Sequence, residues 1–262
     1  MTTAKDAATD PVEAPLDEAE LEQARADREG LAWWAEYVEE TKGLETQQLG
    51  GAGSATPISQ KAFDLIVEFE VSSKAVYERK YRSTIWPKEQ SGVTIGIGYD
   101  VGYATKAQLW SDWKGAIPDA MITALERALG VTGAPADAVA RQLRSSVDIS
   151  FDSAIVVHRG KVVPRWVALV ERNLPNTGAL KPDALGALVS LTYNRGATFA
   201  KAGERYREMR SIKAHMAARE FAKVPADLRG MKRIWPNVPG LQSRREREAK
   251  LFEAGLAAAA TS

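Results

Sequence analysis

An eight-residue stretch at positions 93–100 constrains the fold of this chain more than any other. It reads VTIGIGYD, so apolar residues alternate with Thr94, Gly96, Gly98 and Asp100. Because side chains alternate between the two faces of a strand, the pattern predicts one apolar face that packs inward. The opposite face carries a hydroxyl and a carboxylate separated by glycines. This face is interpreted either as a surface without side chains on which a polar ligand can bind, or as part of a glycine-kinked hairpin with no chemical role.

The two oxygen-bearing residues of this stretch are far apart unless the chain turns. In a straight strand Thr94 and Asp100 would be about 20 Å apart. They can share a site only if the chain reverses at Gly96 or Gly98, and glycine adopts the positive φ values of tight turns at little cost. The sequence therefore predicts a short hairpin.

The helix-like segment before this hairpin contains a candidate acid, Glu70. Residues at i, i+3, i+4 and i+7 share one helix face, and here they are Phe63, Ile66, Val67 and Glu70. Apolar surroundings would raise the pKa of Glu70, as suits a general acid near neutral pH. Glu68 falls on the polar face and is interpreted as an ordinary solvated carboxylate. Glu70 equally fits a core carboxylate paired with one of three nearby cations, namely Arg79, Lys80 and Arg82.

Three segments, in this order, resemble the phage-type lysozymes of glycoside hydrolase family 24. The first is a Phe-Glu pair that ends a helix, followed by a loop and TIGIG; its continuation GYD is most similar to pesticin-like lysozyme domains. The second, ALVSLTYNRG at residues 187–196, is similar to the buried central helix of the family. The third, GLQSRRERE at residues 240–248, is similar to its closing helix. The resemblance spans roughly residues 57 to 255.

The resemblance implies an α+β, lysozyme-like fold, mostly helical, with a small β-hairpin beside the first catalytic helix. It also implies hydrolysis of the β-1,4 bond between N-acetylmuramic acid and N-acetylglucosamine in peptidoglycan. Two carboxyl groups carry out such a reaction. Glu70 takes the role of general acid and Asp100 that of base or charge stabiliser. Thr94 would orient the attacking water, which favours an inverting mechanism.

The chain departs from the phage enzymes in its second carboxylate. Those enzymes carry an aspartate in the loop between the glutamate and the threonine, whereas residues 71–93 contain no Asp, only Glu78 and Glu89. The pesticin-like pattern favours Asp100, and Glu78 is the rival because it lies eight residues after Glu70. If neither faces Glu70, the alternative function is a catalytically inactive peptidoglycan-binding module on the same fold.

The remaining expectations about the site concern the ligand and cofactors. Four residues are expected to contact the glycan strand, namely Gly96, Gly98, Tyr99 and Asn194. Neither a metal nor a cofactor is expected, since the chain has no cysteine and only two isolated histidines, His158 and His215. These histidines are interpreted as structural or solvent-facing. Phosphate-binding and nucleophile-elbow motifs are also missing from the sequence.

Charge is distributed unevenly along the chain. Residues 1–50 contain 4 basic and 13 acidic side chains, whereas residues 201–250 contain 14 basic and 6 acidic ones. The basic stretch either pairs internally or faces an anionic wall through four residues, namely Lys232, Arg233, Arg244 and Arg245. Because arginines alternate with glutamates near residue 246, nucleic acid is not the expected partner. A monomer that binds peptidoglycan is expected.

The predicted domain organisation is an acidic N-terminal arm followed by one catalytic domain. Residues 1–55 form the arm, with short helices and a Gly-rich linker, and residues 56–262 form the lysozyme-like domain. Residues 1–15 lack the apolar core of a secretory signal, and no stretch is apolar enough for stable membrane insertion. The expectation is synthesis in the cytoplasm and action on the cell wall after delivery by another route.

Overall fold

The computed structural model of the chain describes residues 16–27, 29–40 and 53–260. The fold is mostly helical, with one small antiparallel sheet of two strands, β1 (Thr94–Ile95) and β2 (Tyr99–Asp100). The helices before the sheet are α1 (Glu18–Ala26), α2 (Glu29–Glu40), α3 (Gln60–Val71) and α4 (Lys74–Lys80). Those after it are α5 (Lys106–Trp113), α6 (Asp119–Leu125), α7 (Pro135–Leu143), α8 (Phe151–Val157), α9 (Val163–Asn173), α10 (Pro182–Arg195), α11 (Arg207–Ala218), α12 (Val224–Gly230) and α13 (Pro239–Ala260).

The hairpin confirms the turn and the inward apolar face expected at residues 93–100, but Thr94 and Gly96 of the opposite face are buried as well. β1 pairs with β2 in the register Thr94 opposite Asp100 and Ile95 opposite Tyr99. The chain reverses between them with φ of +58° at Gly96 and +67° at Gly98, a region that other residues rarely adopt. The four alternating apolar residues are all buried, namely Val93, Ile95, Ile97 and Tyr99. Thr94 and Asp100 are therefore cross-strand neighbours rather than distant residues.

Two apolar clusters form the core. One gathers residues from α1, α3 and α9–α13, and the other gathers the hairpin with α4–α8. Four partly buried residues pack against both clusters, namely Val67, Ile155, Trp166 and Tyr193. The boundary between the clusters therefore runs along α3, the connecting helices α8 and α9, and the end of α10. Such boundaries are frequent locations of binding sites.

Helix α10 is the central buried element, as the apolar segment around residue 188 predicts. Most of its residues, from Ala184 to Arg195, are buried, and it packs chiefly against α13. It ends at Gly196, which has φ of +71°. A Cβ atom at Gly196 would lie only 2.5 Å from Trp33 Cγ, so this position requires glycine for both backbone conformation and space.

The two N-terminal helices pack on the body of the protein. Leu21 and Ala24 of α1 belong to the same apolar cluster as α13, and Glu18 forms ion pairs with Arg79 and Lys80 of α4. Residues 1–15 and 41–52 of the predicted arm, which include most of the Gly-rich linker, lie outside the described residues. The domain boundary near residue 55 therefore stays a prediction. None of the helices described is long and apolar enough to cross a membrane.

The basic C-terminal stretch pairs with carboxylates of the protein itself, which favours the internal alternative over contact with an anionic wall. Arg244 and Arg245 are buried, and both bind Glu248. Two further cations pair at the surface, Lys232 with Glu246 and Arg233 with Glu208. Each of these four cations therefore has a carboxylate partner within the protein.

His158 is a buried structural residue whose charge state makes stability depend on pH. It begins a π-helical turn, His158–Val162, between α8 and α9. Its ring lies between Phe63 and Tyr193, with centroid separations of 5.7 and 5.9 Å. Burial lowers the pKa of His158 to about 3, so the imidazole stays neutral in the folded protein at neutral and mildly acidic pH.

We therefore expect acidification to destabilise the fold through His158. Below pH 6.5 the unfolded chain binds a proton that the folded chain excludes, so stability falls as pH drops toward about 3. One such group lowers the free energy of unfolding by about 1.5 kcal/mol between pH 6.5 and 5. Urea denaturation across this range should give a flatter profile for His158→Phe than for the wild type. Identical profiles for the wild type and His158→Phe would contradict the expectation.

Candidate active site

Glu70 lies in the last turn of α3, half-buried against the turn of the hairpin. A Cβ atom at Gly98 would be 3.3 Å from Glu70 Oε2 and 3.0 Å from Tyr193 Oη. Gly98 itself is exposed, and its lack of a side chain leaves space for the Glu70 carboxyl group and the Tyr193 phenol. The structure therefore brings Glu70, Gly98 and Tyr193 together at the boundary between the two apolar clusters.

Tyr193 is a residue of the candidate site that sequence reasoning did not identify. Burial, and secondarily the charge of Glu70, raise the pKa of Tyr193 well above its ordinary value. The phenol therefore stays protonated and can donate a hydrogen bond to an oxygen beside it. The sequence signal for this role was weak, because Tyr193 stands in an apolar helix 123 residues after Glu70 and a buried tyrosine there fits a core residue equally well.

The three cations considered as partners of Glu70 are engaged elsewhere. Arg79 and Lys80 bind Glu18 of α1. Arg82 binds Asp148 with two hydrogen bonds and Glu78 with a third. The interpretation of Glu70 as a core carboxylate paired with one of these residues therefore loses its support.

Glu68 is not the ordinary solvated carboxylate that its position on the polar face predicted. Both of its oxygens accept hydrogen bonds of 2.7 Å from Arg247 of α13. The same guanidinium lies over the Phe69 ring, 5.6 Å from its centroid. The pair links α3 to the closing helix, which sequence spacing could not show because the partners are 179 residues apart.

Asp100 is anchored at the end of the hairpin away from its turn. Its carboxylate accepts backbone N–H bonds from Gly92 at 2.8 Å and from Gly102 at 2.9 Å. Thr94, opposite it in the register, is buried and donates a long 3.4 Å hydrogen bond to the Gly92 carbonyl. The structure thus joins Thr94 to Asp100, whereas the Glu70 carboxylate lies beside Gly98 in the turn.

Glu78, the rival for the second carboxylate, faces α8 rather than the hairpin turn. One of its oxygens accepts the backbone N–H of Phe151 at 3.2 Å, and the other binds Arg82 at 2.6 Å. Glu89 is exposed in the loop before β1 and has φ of +52°. Neither contact of Glu78 directs it toward Glu70, which leaves Asp100 as the stronger candidate.

Three of the four expected glycan contacts have other roles. Gly96 is buried, and a Cβ there would lie 2.9 Å from the Trp113 ring, so this glycine permits core packing. Tyr99 is also buried and donates a 2.9 Å hydrogen bond to Asp112, which in turn binds Arg165. Its placement on the inward face, as the alternation itself predicts, removes it from solvent. Only Gly98 is exposed beside the candidate acid.

Asn194, the fourth expected contact, is buried near the end of α10. Its backbone carbonyl lies 2.7 Å from where a Cβ of Gly30 would be, so α2 packs closely over this end of the helix. Its side-chain Oδ1 has no hydrogen-bond partner among the described residues. Asn194 therefore lies under α2 and not on an open binding surface.

The chemistry available at this site is that of carboxyl, phenol and hydroxyl groups. Within the described residues, no group of three or more His, Asp or Glu side chains is arranged to hold a metal ion. Comparison with known proteins adds no family: a scan against protein-family models and a search of curated proteins both found no match for this chain.

Proposed function

We propose that this protein is a peptidoglycan hydrolase, a muramidase with a lysozyme-like fold. The observation that carries the proposal is the position of Glu70. Its half-buried carboxyl group lies in the last turn of α3, against the exposed Gly98 of the hairpin turn and the Tyr193 phenol. The substrate and the bond that is cleaved are inferred from the three segments that resemble phage-type lysozymes.

In this proposal Glu70 protonates the leaving glycosidic oxygen. Gly98 has no side chain to occupy the space beside Glu70 Oε2 and the Tyr193 phenol. Tyr193 is then a positioning residue, whose protonated phenol holds the orientation of the acid.

Asp100 is assigned the role of base or charge stabiliser. Its carboxylate accepts two backbone N–H hydrogen bonds, which hold it in place at the end of β2. Thr94 lies opposite Asp100 in the hairpin, where its hydroxyl can help to orient a water molecule.

The proposed mechanism also concerns the spacing between the two carboxyl groups. Glu70 lies beside Gly98 in the turn, and Asp100 lies at the far end of β2. The inverting reaction needs roughly 6.5–9.5 Å between such groups, and we infer this stereochemistry.

The proposal is tested by incubating the protein with purified peptidoglycan and measuring new reducing ends. Mass spectrometry of the soluble products should find N-acetylmuramic acid at the reducing terminus. Proton NMR during the first minutes should show the α-anomer if the reaction inverts. Products ending in N-acetylglucosamine would contradict the proposed bond.

A second candidate function is a wall-binding module without catalysis. The anchoring of Asp100 favours it, since two backbone hydrogen bonds direct this carboxylate away from the turn that faces Glu70. A module of this kind would sediment with insoluble peptidoglycan and release no reducing ends. The same assay therefore separates the two functions.

Asp100→Asn is expected to reduce the rate of hydrolysis about 100-fold, the lower range for loss of a general base. Asparagine keeps one oxygen for the hairpin N–H groups, so the variant should stay folded with a loss of about 1–2 kcal/mol in the free energy of unfolding. Reducing-end release and urea denaturation give the two quantities. The matched control is Glu78→Gln. This variant loses the ion pair with Arg82 but is expected to hydrolyse peptidoglycan at the wild-type rate. A rate loss in the control, with Asp100→Asn active, would exchange the two assignments.

A further inference from the structure

The helix that carries Glu70 ends in a strained turn. Ser72, the C-cap of α3, has φ of +64° and ψ of −67°. The N–H of the next residue, Ser73, donates a 2.8 Å hydrogen bond to the carbonyl of Val71. Three residues closed in this way, with these angles at the centre, form the rare and strained kind of γ-turn. Glycine enters this region far more readily than serine does, so the sequence gives the turn no local support.

This turn lies directly beside the candidate acid in the chain. Ser72 follows Glu70 by two residues, and α4 begins at Lys74. The N–H of Ser72 also closes the last turn of α3, because it donates a 2.8 Å hydrogen bond to the carbonyl of Glu68. The conformation at Ser72 therefore sets the direction of the helical turn from which the Glu70 side chain projects.

The side chain that fixes Ser72 comes from α1. Arg25 Nη1 donates a 2.7 Å hydrogen bond to Ser72 Oγ across 47 residues of sequence. The other terminal nitrogen of this guanidinium, Nη2, is buried and has no hydrogen-bond partner among the described residues. A buried donor without a partner lowers stability, and so does the backbone conformation of Ser72. Two unfavourable features meet at one contact, a combination that is typical of functional sites and not of contacts that serve stability alone.

Helix α1 has other contacts that hold it on the body of the protein. Leu21 and Ala24 are buried in the apolar cluster, and a Cβ atom at Gly240 would lie 2.7 Å from the Cβ of Ala24. Glu18 pairs with two cations of α4, and their hydrogen bonds lower the pKa of Glu18 to about 2. Removal of the Arg25 guanidinium should therefore release the turn without detaching the helix.

We propose that Arg25 is a positioning residue for the candidate acid. By holding the strained turn at Ser72, it keeps the end of α3 directed toward Gly98 and Tyr193. The inference rests on the proposed function, because it assigns a further part of the same site. The arm also packs on the helix that carries the phenol, since a Cβ atom at Gly30 of α2 would lie 2.5 Å from the carbonyl oxygen of Tyr193. The predicted arm thus contributes to the architecture of the site.

Three variants separate positioning from a purely structural role. Arg25→Ala and Ser72→Ala each remove one side of the hydrogen bond, whereas Arg25→Lys keeps a donor. The two alanine variants should lower kcat for reducing-end release about tenfold at unchanged KM, because small displacements of a reacting group cost at least this much. Arg25→Lys should recover most of the rate. The double alanine variant should lose no more than either single variant, since both remove the same bond.

Amide hydrogen exchange measured by NMR gives a second readout that needs no hydrolysis. The N–H groups of Ser72 and Ser73 close the turn. In Arg25→Ala they should exchange at least about tenfold faster, the factor expected when a hydrogen bond to a charged group is lost, while the amides of α1 keep their wild-type rates. Gln23→Ala is the matched control. It removes a hydrogen bond from α1 to the carbonyl of Asn237 and should behave as the wild type in both measurements.

The possible outcomes separate this inference from the proposed function. Unchanged exchange at Ser72 and Ser73 in Arg25→Ala, or equal effects of Arg25→Ala and Gln23→Ala, would overturn the inference while reducing-end release still supports the muramidase. Wild-type kcat in Arg25→Ala, or faster exchange throughout α1, would also overturn it, because the contact would then serve stability only. Faster exchange confined to the turn, without hydrolysis by the wild type, would support control of the turn by Arg25 and reject the muramidase. Unchanged exchange together with no hydrolysis would reject both.

Discussion

Replacing Glu70 by glutamine is expected to lower the rate of peptidoglycan hydrolysis about 1000-fold, within the range attributed to general acid catalysis. Glutamine has the shape of the acid but no proton to give to the leaving oxygen. The side chain is half-buried beside Gly98 and Tyr193, and the replacement preserves its volume there. The thermal midpoint should therefore change little. Reducing-end release at equal concentrations of folded protein measures the effect.

Glu68→Gln is the matched control, two residues away on the same helix. It weakens the two hydrogen bonds to Arg247, and both partners of this pair are about one-third exposed. A pair of this kind contributes up to about 1 kcal/mol, so a small loss of stability with full activity is expected. An active Glu70→Gln variant beside an inactive Glu68→Gln variant would reverse the assignment of the acid.

Local features of the site were predictable from the sequence because they depend on neighbours in the chain. The alternation at residues 93–100 gave the hairpin and its buried face, and the glycines gave the turn. Ser59 was a predictable helix cap for α3, and it accepts the N–H of Ala62. The burial of α10 likewise followed from its continuous apolar composition.

The site's tertiary partners were not predictable in this way. Tyr193 reaches Glu70 only because α10 packs against α3, and spacing carries no information about that crossing. Period-two alternation also placed Gly96 on the open face, but the turn begins there and directs this position toward Trp113. Patterns of alternation hold for a continuous strand and fail where the backbone reverses.

The same limit explains why the sequence left two alternatives open for the basic C-terminal residues. A high density of arginine predicts an exposed cationic surface when each charge is treated as solvated. In α13 the arginines at 244 and 245 are instead buried and share one carboxylate, Glu248. Composition gives the number of charged residues. It does not show whether a buried carboxylate pairs with them, because that depends on the packing of α13 against α10.

Glu248→Ala is therefore expected to be the most destabilising single substitution, with a loss of about 3–5 kcal/mol in the free energy of unfolding. Glu248 is fully buried, and its Oε1 accepts hydrogen bonds from Ser190 at 2.7 Å and Arg245 at 2.8 Å. Burial already lowers the pKa of Arg245 to about 10, which shows that its charge is poorly solvated. Without the carboxylate, two buried guanidinium groups repel each other with no anion between them.

Glu253→Ala on the same helix is the control for this substitution. Glu253 pairs with Arg229 at the surface, and such exposed pairs contribute up to about 1 kcal/mol. Urea denaturation of both variants at neutral pH gives the comparison. A Glu248→Ala loss no greater than that of Glu253→Ala would show that water reaches the arginines, and that α10 and α13 are not locked by a buried charge network. A large loss would instead identify the RR-x-x-E segment as the structural joint that holds α13 against the central helix, and with it Tyr193 beside Glu70.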